Sequence, residues 1–226
     1  YWGKHYLGQN QLRILLAFDD HERLVGIAPF YLRRAKAHGV IPFRELRFLG
    51  SEAVSSSYLD VITNEQHKPA LLQSLYRYLF NEARKDWDIL TLSEVPAESS
   101  TLDLWNELFD EAGKVGEVVS TTCCPVIHLP GDVDAYRTGL GRSRRYTLQR
   151  KTKSLQRAGR IQYSSATGPA EVDAAFESLV TLHQRRWSPR PGGGVFAHER
   201  ARQFHRDLVR VLSERGRVSV DLLSLD

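Results

Sequence analysis

Apolar positions fall into short strand-like runs along the first half of the chain. Along the second half they recur at helical spacing between charged residues. Residues 12–18 (LRILLAF) are an apolar run rich in strand formers, and 19–23 (DDHER) make a polar turn. Residues 24–33 (LVGIAPFYLR) follow as a second strand, in which Gly26 and Pro29 mark a bulge or bend. The pair predicts an antiparallel hairpin. Residues 44–49 and 58–63 predict two more short strands around a small polar loop, 50–57. From about Pro69, Leu71, Leu72, Leu75, Leu79 and Ala83 recur at helical spacing. Residues 88–92 read as a strand. Residues 101–112 read as a helix with Leu104, Leu108 and Ala112 on one face, ended by Gly113. Two last strands are expected at 115–120 and 125–129. Pro130, Gly131 and Asp132 then mark a boundary, and Asp132 suits the cap of a short helix through Leu140.

The second half opens on a basic helix, 143–158, stopped by Gly159, with Leu148, Thr152 and Leu155 as a narrow inward stripe. A strand at 160–167 precedes a long helix from 169 to 187, whose apolar face takes Val172, Phe176, Leu179, His183 and Trp187. SPRPGGG (188–194) breaks the chain. A helix over 198–215 turns Phe204, Leu208, Val211 and Leu212 inward, and a strand over 218–225 ends the chain with no mate after it. The class is mixed α/β, ordered ββ–β–β–α–β–α–β and then α–α–β–α–α–β.

Composition adds bounds. The chain has 226 residues, 42% hydrophobic and 26% charged, which suits a folded core and excludes wholesale disorder. No stretch nears the roughly 18 apolar residues of a membrane span, and residues 1–10 do not read as a signal peptide. The two cysteines, Cys123 and Cys124, are adjacent, so they can neither staple a distant loop nor alone build a zinc site. They read as core residues of an apolar strand, and a reduced, cytoplasmic setting is the default. There is no methionine, so the chain is expected to be an excised piece. Tyr1, Trp2, Tyr6 and Leu7 read as the end of an amphipathic helix. Thirty-one basic against 27 acidic residues give a net charge of +4, a weak guide to partners. The eight histidines show no metal-ligand spacing, and no metal is expected.

The sharpest charge feature is local. No acidic residue lies between Asp134 and Glu171, while Arg137, Arg142, Arg144, Arg145, Arg150, Lys151, Lys153, Arg157 and Arg160 fall in that window. Arg142, Tyr146, Arg150, Lys153 and Arg157 line one helix face. The bland reading is a solvated face. The sharper reading is a site for phosphate, a nucleotide-linked substrate, RNA or an anionic membrane surface, because arginine makes bidentate contacts and no acid pairs with these residues at i+4. Arg142 and Tyr146, with Arg145 and Arg150, are the leading substrate-binding candidates, and Tyr58, Arg186 and Trp187 join them. His183 reads either as a core histidine or as a general base, with Arg185, Arg186 and Trp187 beside it. Tyr58 and Asp60 would share the polar face of a strand, where Asp60 is an exposed carboxylate or a proton acceptor facing an amine. The SPRPGGG loop reads as a helix connector or a substrate lid. Without a following Gly-Lys-Ser/Thr it is no P-loop.

The strings LVGIAPFYLRR (24–34), ELRFLGSEAVSSSYLDVIT (45–63), RSRRYTLQRKTKSLQRAGR (142–160), LVTLHQRRW (179–187) and RVSVDLLSLD (217–226) resemble the CelD/BcsL-type acetyltransferase family. That family is similar to the FemAB group of tandem-GNAT proteins. The likeness runs along nearly the whole chain and implies two GNAT-like repeats, both incomplete. Residues 1–130 would be the first, without its N-terminal part. Residues 131–226 would be a basic linker helix and the start of the second. The resemblance implies transfer of an acyl group from acyl-CoA to an amine or hydroxyl of an anionic or polysaccharide-related acceptor. Acetyl-CoA or another acyl-CoA is the co-substrate, and the acceptor and oligomeric state stay open. The first repeat's pyrophosphate position would be 64–69, NEQHKP, which has no glycine and carries Glu65. YRTGLG (136–141) follows a helix rather than a strand. The complete cofactor loop is therefore expected beyond Asp226, and this piece is expected to be inactive alone. Two other readings stay open: a FemAB-like transferase using charged tRNA, and a non-catalytic module binding anionic polysaccharide precursors or nucleic acid.

Overall fold

A computed structural model describes residues 1–51, 54 and 56–226, so part of the small polar loop expected at 50–57 lies outside the described residues. The fold mixes helices and sheets and divides into two compact units, Tyr1–Thr121 and Thr122–Asp226.

The first unit is built on a five-stranded sheet. Strands β1 (Gln11–Phe18) and β2 (Leu24–Ala37) form the expected hairpin. The register shifts between Ala17 and Phe18, so that Gly26 and Leu24 are their partners and Val25 is the bulged residue. Strand β3 (Ile41–Phe48) pairs antiparallel with β2, and β5 (Ile89–Thr91) pairs parallel with β3. A parallel neighbour needs a crossover, which α2 (Lys68–Arg77) and the π-helical turn Tyr78–Glu82 supply. Ala28, Phe30 and Leu32 on β2, with Leu46 and Phe48 on β3, alternate onto one face. There they pack against Leu71, Leu72, Leu75 and Leu79 and against Trp105 of α3 (Ser100–Glu111). The helical spacing read from 69–83 is thus the core face of α2. On α3, by contrast, Trp105 is the buried anchor while Leu104 and Leu108 are only partly buried. Gly26 is required by close approach, since a Cβ there would sit 2.7 Å from the Leu71 side chain.

The opposite sheet face carries a polar cluster. Arg33 Nη2 donates to Glu45 Oε2 at 2.6 Å, and Thr91 Oγ1 donates to Glu45 Oε1 at 2.6 Å. Arg47 Nη1 lies 3.8 Å from Glu45 Oε2, and its Nη2 reaches Ser93. Beside this cluster the short helix α1 (Trp2–Tyr6) sets Trp2 on Tyr31, with ring centroids 4.9 Å apart.

The strand expected over 58–63 shortens to β4 (Ile62–Thr63), paired with β2. It runs antiparallel to β2, as β3 does, and so takes up the line of β3 after an excursion through 49–61. The strands expected at 115–120 and 125–129 do not form. Residues 114–130 are exposed without regular structure, and Val115 is fully exposed. Their β-branched composition favours a ladder, but no strand among the described residues pairs with them. Cys123 and Cys124 are accordingly exposed, which corrects the core reading.

In the second unit α4 (Val133–Gly139) is capped as expected, Asp132 accepting from the Ala135 amide at 2.7 Å. Helix α5 (Arg142–Ala158) buries no residue. Leu148 and Leu155, expected inward, are 40% and 43% exposed. Strands β6 (Ile161–Ala166) and β7 (Val220–Leu225) pair antiparallel, so the terminal strand does have a ladder partner. Helix α6 (Pro169–Trp187) buries Val172, Ala175, Phe176 and Val180, while Leu179 faces out. Phe176 and Val180 meet Phe196 and Val209, and Phe204 is buried on α7 (Glu199–Glu214).

Candidate functional site

In the first unit the proposed chemistry centres on Asp60, and the chain makes that carboxylate a structural hub. Asp60 Oδ1 accepts from the Val61 amide and from Thr101 Oγ1, both at 2.7 Å. Its Oδ2 accepts from Ser99 Oγ at 2.5 Å and lies 3.7 Å from Lys68 Nζ. Ser99 Oγ in turn accepts from the Thr101 amide, capping α3. One carboxylate thus joins the end of the 49–61 excursion to the starts of α2 and α3. Burial disfavours the Lys68 charge, but Glu65, 2.8 Å away, and Asp60 outweigh it and hold the ammonium above the usual lysine range. Tyr58 is exposed in the left-handed region (φ 60°) and is not a strand residue, so the shared strand face drawn for Tyr58 and Asp60 does not exist.

A cavity of about 490 Å³ opens nearby, lined by Asp19, Arg23, Gly26, Ile27, Thr63 and His67 among others. It borders the position at 64–69 where a pyrophosphate loop would begin a helix. The Asn64 side chain already accepts from the His67 amide at 3.0 Å, and residue 69 is a proline with no amide hydrogen. Glu65 sits just before the same end, paired with Lys68 Nζ at 2.8 Å.

In the second unit the end of α6 gathers an aromatic and cationic cluster. His183 stacks on Trp187 at 5.9 Å and meets Phe196 edge-on at 4.9 Å. Its Nδ1 is buried without a hydrogen-bond partner among the described residues. The Arg190 guanidinium lies 4.6 Å from the Trp187 ring centroid, nearer than that of Arg186 at 5.8 Å. The glycine-rich connector folds back over this cluster. Gly194 adopts φ +73°, and a Cβ there would stand 2.5 Å from His183 Cε1, so both backbone and space demand glycine. Arg202 Nη1 donates to the Phe196 carbonyl at 2.5 Å and fixes the connector's far end. His205, half-buried against Phe196 and Phe204, has its pKa lowered by burial.

The basic helix α5 places Arg142, Arg145, Tyr146 and Arg150 on the surface, with Tyr146 65% exposed. Its N-cap, Gly141, offers no side-chain hydrogen bond, and its first turn carries no acid. Among the described residues no ion pair involves an α5 cation, whereas arginines elsewhere pair with Glu45, Asp88, Glu177 or Glu199.

Sequence reasoning missed Lys68, Ser99 and Thr101 around Asp60, and Arg190, Gly194 and Phe196 around His183. Ser99-x-Thr101 before an apolar helix was a legible cap. The Gly-Gly-Gly run was legible as backbone freedom, though not as a seat for a ring. Among the described residues no group of three or more His, Cys, Asp or Glu side chains is placed to hold a metal ion, and no helix is long and apolar enough to cross a membrane. No curated protein and no solved structure matches the chain. Residues 142–226, from the first residue of α5 to the end of the chain, match the family model described as an acetyltransferase (GNAT) domain.

Proposed function

We propose that the chain is part of an acyltransferase that moves an acyl group from acyl-CoA to an amine or hydroxyl of an anionic or polysaccharide-related acceptor. The observation that carries this reading is the acetyltransferase-domain match over 142–226. The order β6–α6–α7–β7 supports it, being the β–α–α–β opening of such a domain. In this reading the two units are the two incomplete repeats of a CelD/BcsL-type protein. The parallel β3–α2–β5 crossover of the first unit supports that view.

The chemistry is direct attack of the acceptor on the thioester, with the protein supplying position and a base. His183 is the base in this reading. Its Nδ1 is closed off, which leaves Nε2 as the nitrogen for an acceptor proton. Trp187, held by Arg186 and Arg190, walls that side. Asp60, the other base considered, is already saturated by donors, so its part is to hold the first unit together, with Tyr58 at the surface beside it. Arg142, Arg145, Tyr146 and Arg150 hold the acceptor's negative charge. The acyl-CoA pyrophosphate is not assigned to 64–69, where the helix amide is used and Glu65 repels it.

The test is acceptor-dependent release of the CoA thiol from acetyl-CoA by the full protein. His183→Gln lowers kcat by roughly 10²–10⁴-fold at little change in KM. Arg142→Gln raises KM for a phosphorylated acceptor and leaves a neutral one unaffected. Thiol release that never depends on an added amine or hydroxyl overturns the reading.

A further inference from the structure

Helix α5 is built without the features that ordinarily hold a surface helix. It buries no side chain and has neither a capping side chain nor an acid in its first turn. Arg142, Arg144 and Arg145 instead crowd the end where the helix dipole already favours negative charge. Lys153 and Arg157, at i and i+4, repel each other. Water can solvate these exposed cations, but a partner that brings counter-charge would engage them together, and the arrangement of side chains suits one kind.

At 100° per residue, Ser143, Thr147, Ser154 and Ala158 form one narrow face of small residues. Arg142, Arg150, Lys153 and Arg157 flank it on one side, and Arg144 and Lys151 on the other. All of these except Thr147 are exposed. Small groups between two cationic flanks suit a groove whose floor is close and whose two walls are negative. Leu148 and Leu155 lie about a quarter turn from the strip, just beyond Arg144 and Lys151, and α5 has no Trp or Phe. An apolar face of two leucines, bordered by Arg144 and Lys151, is too small to seat a helix in a bilayer.

We infer that α5 lies in a groove of duplex nucleic acid, its two cationic flanks meeting phosphates of opposite strands. A helix of about 10–12 Å diameter fits the roughly 12 Å major groove of B-form DNA, whereas that of A-form RNA is narrow. The inference rests on the reading of α5 as the element that holds an anionic partner, and names the class of that partner. It does not depend on acyl transfer.

The experiment is fluorescence anisotropy of the full chain with a labelled 20-base-pair DNA duplex, the same sequence as duplex RNA, and phosphatidylserine vesicles, with no thioester present. Six flanking cations predict a loss of about a thousandfold in DNA affinity between 50 and 200 mM salt. Arg150→Gln with Lys153→Gln, or Arg144→Gln with Lys151→Gln, each lowers the salt slope by about two. Arg200→Gln with Arg210→Gln in α7 makes the same charge change elsewhere and leaves the slope in place. Circular dichroism verifies that every variant keeps its fold. Duplex binding with these slopes supports the inference, and the RNA arm identifies which duplex is preferred. Three results overturn it: no salt-dependent duplex binding, equal loss from the α7 pair, or vesicle binding that outcompetes duplex. If duplex binding fails while Arg142→Gln still raises KM for a phosphorylated acceptor, the acceptor reading survives and this inference does not.

Discussion

The two units fold by different means. In the 1–121 unit a continuous core runs from β2 through α2 to Trp105, and Arg33, Arg44 and Lys68 are tied to carboxylates. In the 122–226 unit a small cluster around Phe176, Val180 and Phe196 joins α6 to its connector, and a whole helix stands outside it. In the first unit the candidate catalytic carboxylate has all its oxygens engaged. In the second, the cations of α5 have no ion pair among the described residues. Groups spent on holding a fold are poor reagents, and groups left without partners call for one.

The largest effect that sharpens this contrast is a core truncation. Leu72 is fully buried, and Leu72→Ala should lower stability toward the upper end of about 2–5 kcal/mol. Phe176→Ala should fall toward the lower end of about 3–5 kcal/mol, because its smaller cluster can collapse into the gap. Urea titration of both variants measures the difference, and a costlier Phe176 would break the contrast. Next comes the Asp60 hub. Asp60→Ala strands the Ser99 and Thr101 hydroxyls and leaves the largely buried Lys68 ammonium with Glu65 alone, at a cost of about 3 kcal/mol. Asp60→Asn, which keeps an acceptor oxygen, should lose clearly less in the same titration. Equal losses would mean that charge alone matters there.

The smallest effects are in pH. His205 is held below its usual 6.5 by burial, so its neutral form favours the fold. That stability is present above 6.5 and is lost as pH falls through the depressed value. Burial raises the Glu45 pKa, but hydrogen bonds from Thr91 and Arg33 and the Arg47 charge outweigh it and hold it below the usual 4.5. Its contribution is present above that value and is lost at lower pH, as the folded-state pKa is passed. Melting temperature should therefore decline in two stages on acidification. His205→Gln flattens the first and Glu45→Gln reduces the second, which Asp19, Glu65, Asp88, Glu199 and Asp221 share, and a single stage untouched by either would contradict the assignment.

Elements whose cause is local were legible from residues alone. The β1–β2 run, the leucine spacing of α2, the proline-started α6 and the Asp132 cap each carry their signal within a few positions. What failed depends on distant partners. YLDVIT alternates like a strand, yet Asp60 is drawn out of that pattern by hydroxyls some forty residues later. Residues 115–120 and 125–129 have strand composition, but no strand among the described residues pairs with them. Leu148 and Leu155 lie at the correct helical offsets for burial, but spacing does not say whether anything covers them. For His183 the apolar face was legible, while the ring stack beneath Gly194 required the connector's path.

The collinearity of β3 and β4 has one more consequence. The chain leaves the sheet at Phe48 and rejoins the same row at Ile62, opposite Gly26 and Ile27. The frame fixes both ends of the detour, and Asp60 and the buried Val61 at its close belong to that frame. Doubling such a detour adds only about 0.6 kcal/mol of closure entropy. This is a natural graft point, where new recognition could be spliced in at the rim while Asp60 keeps the register of everything behind it.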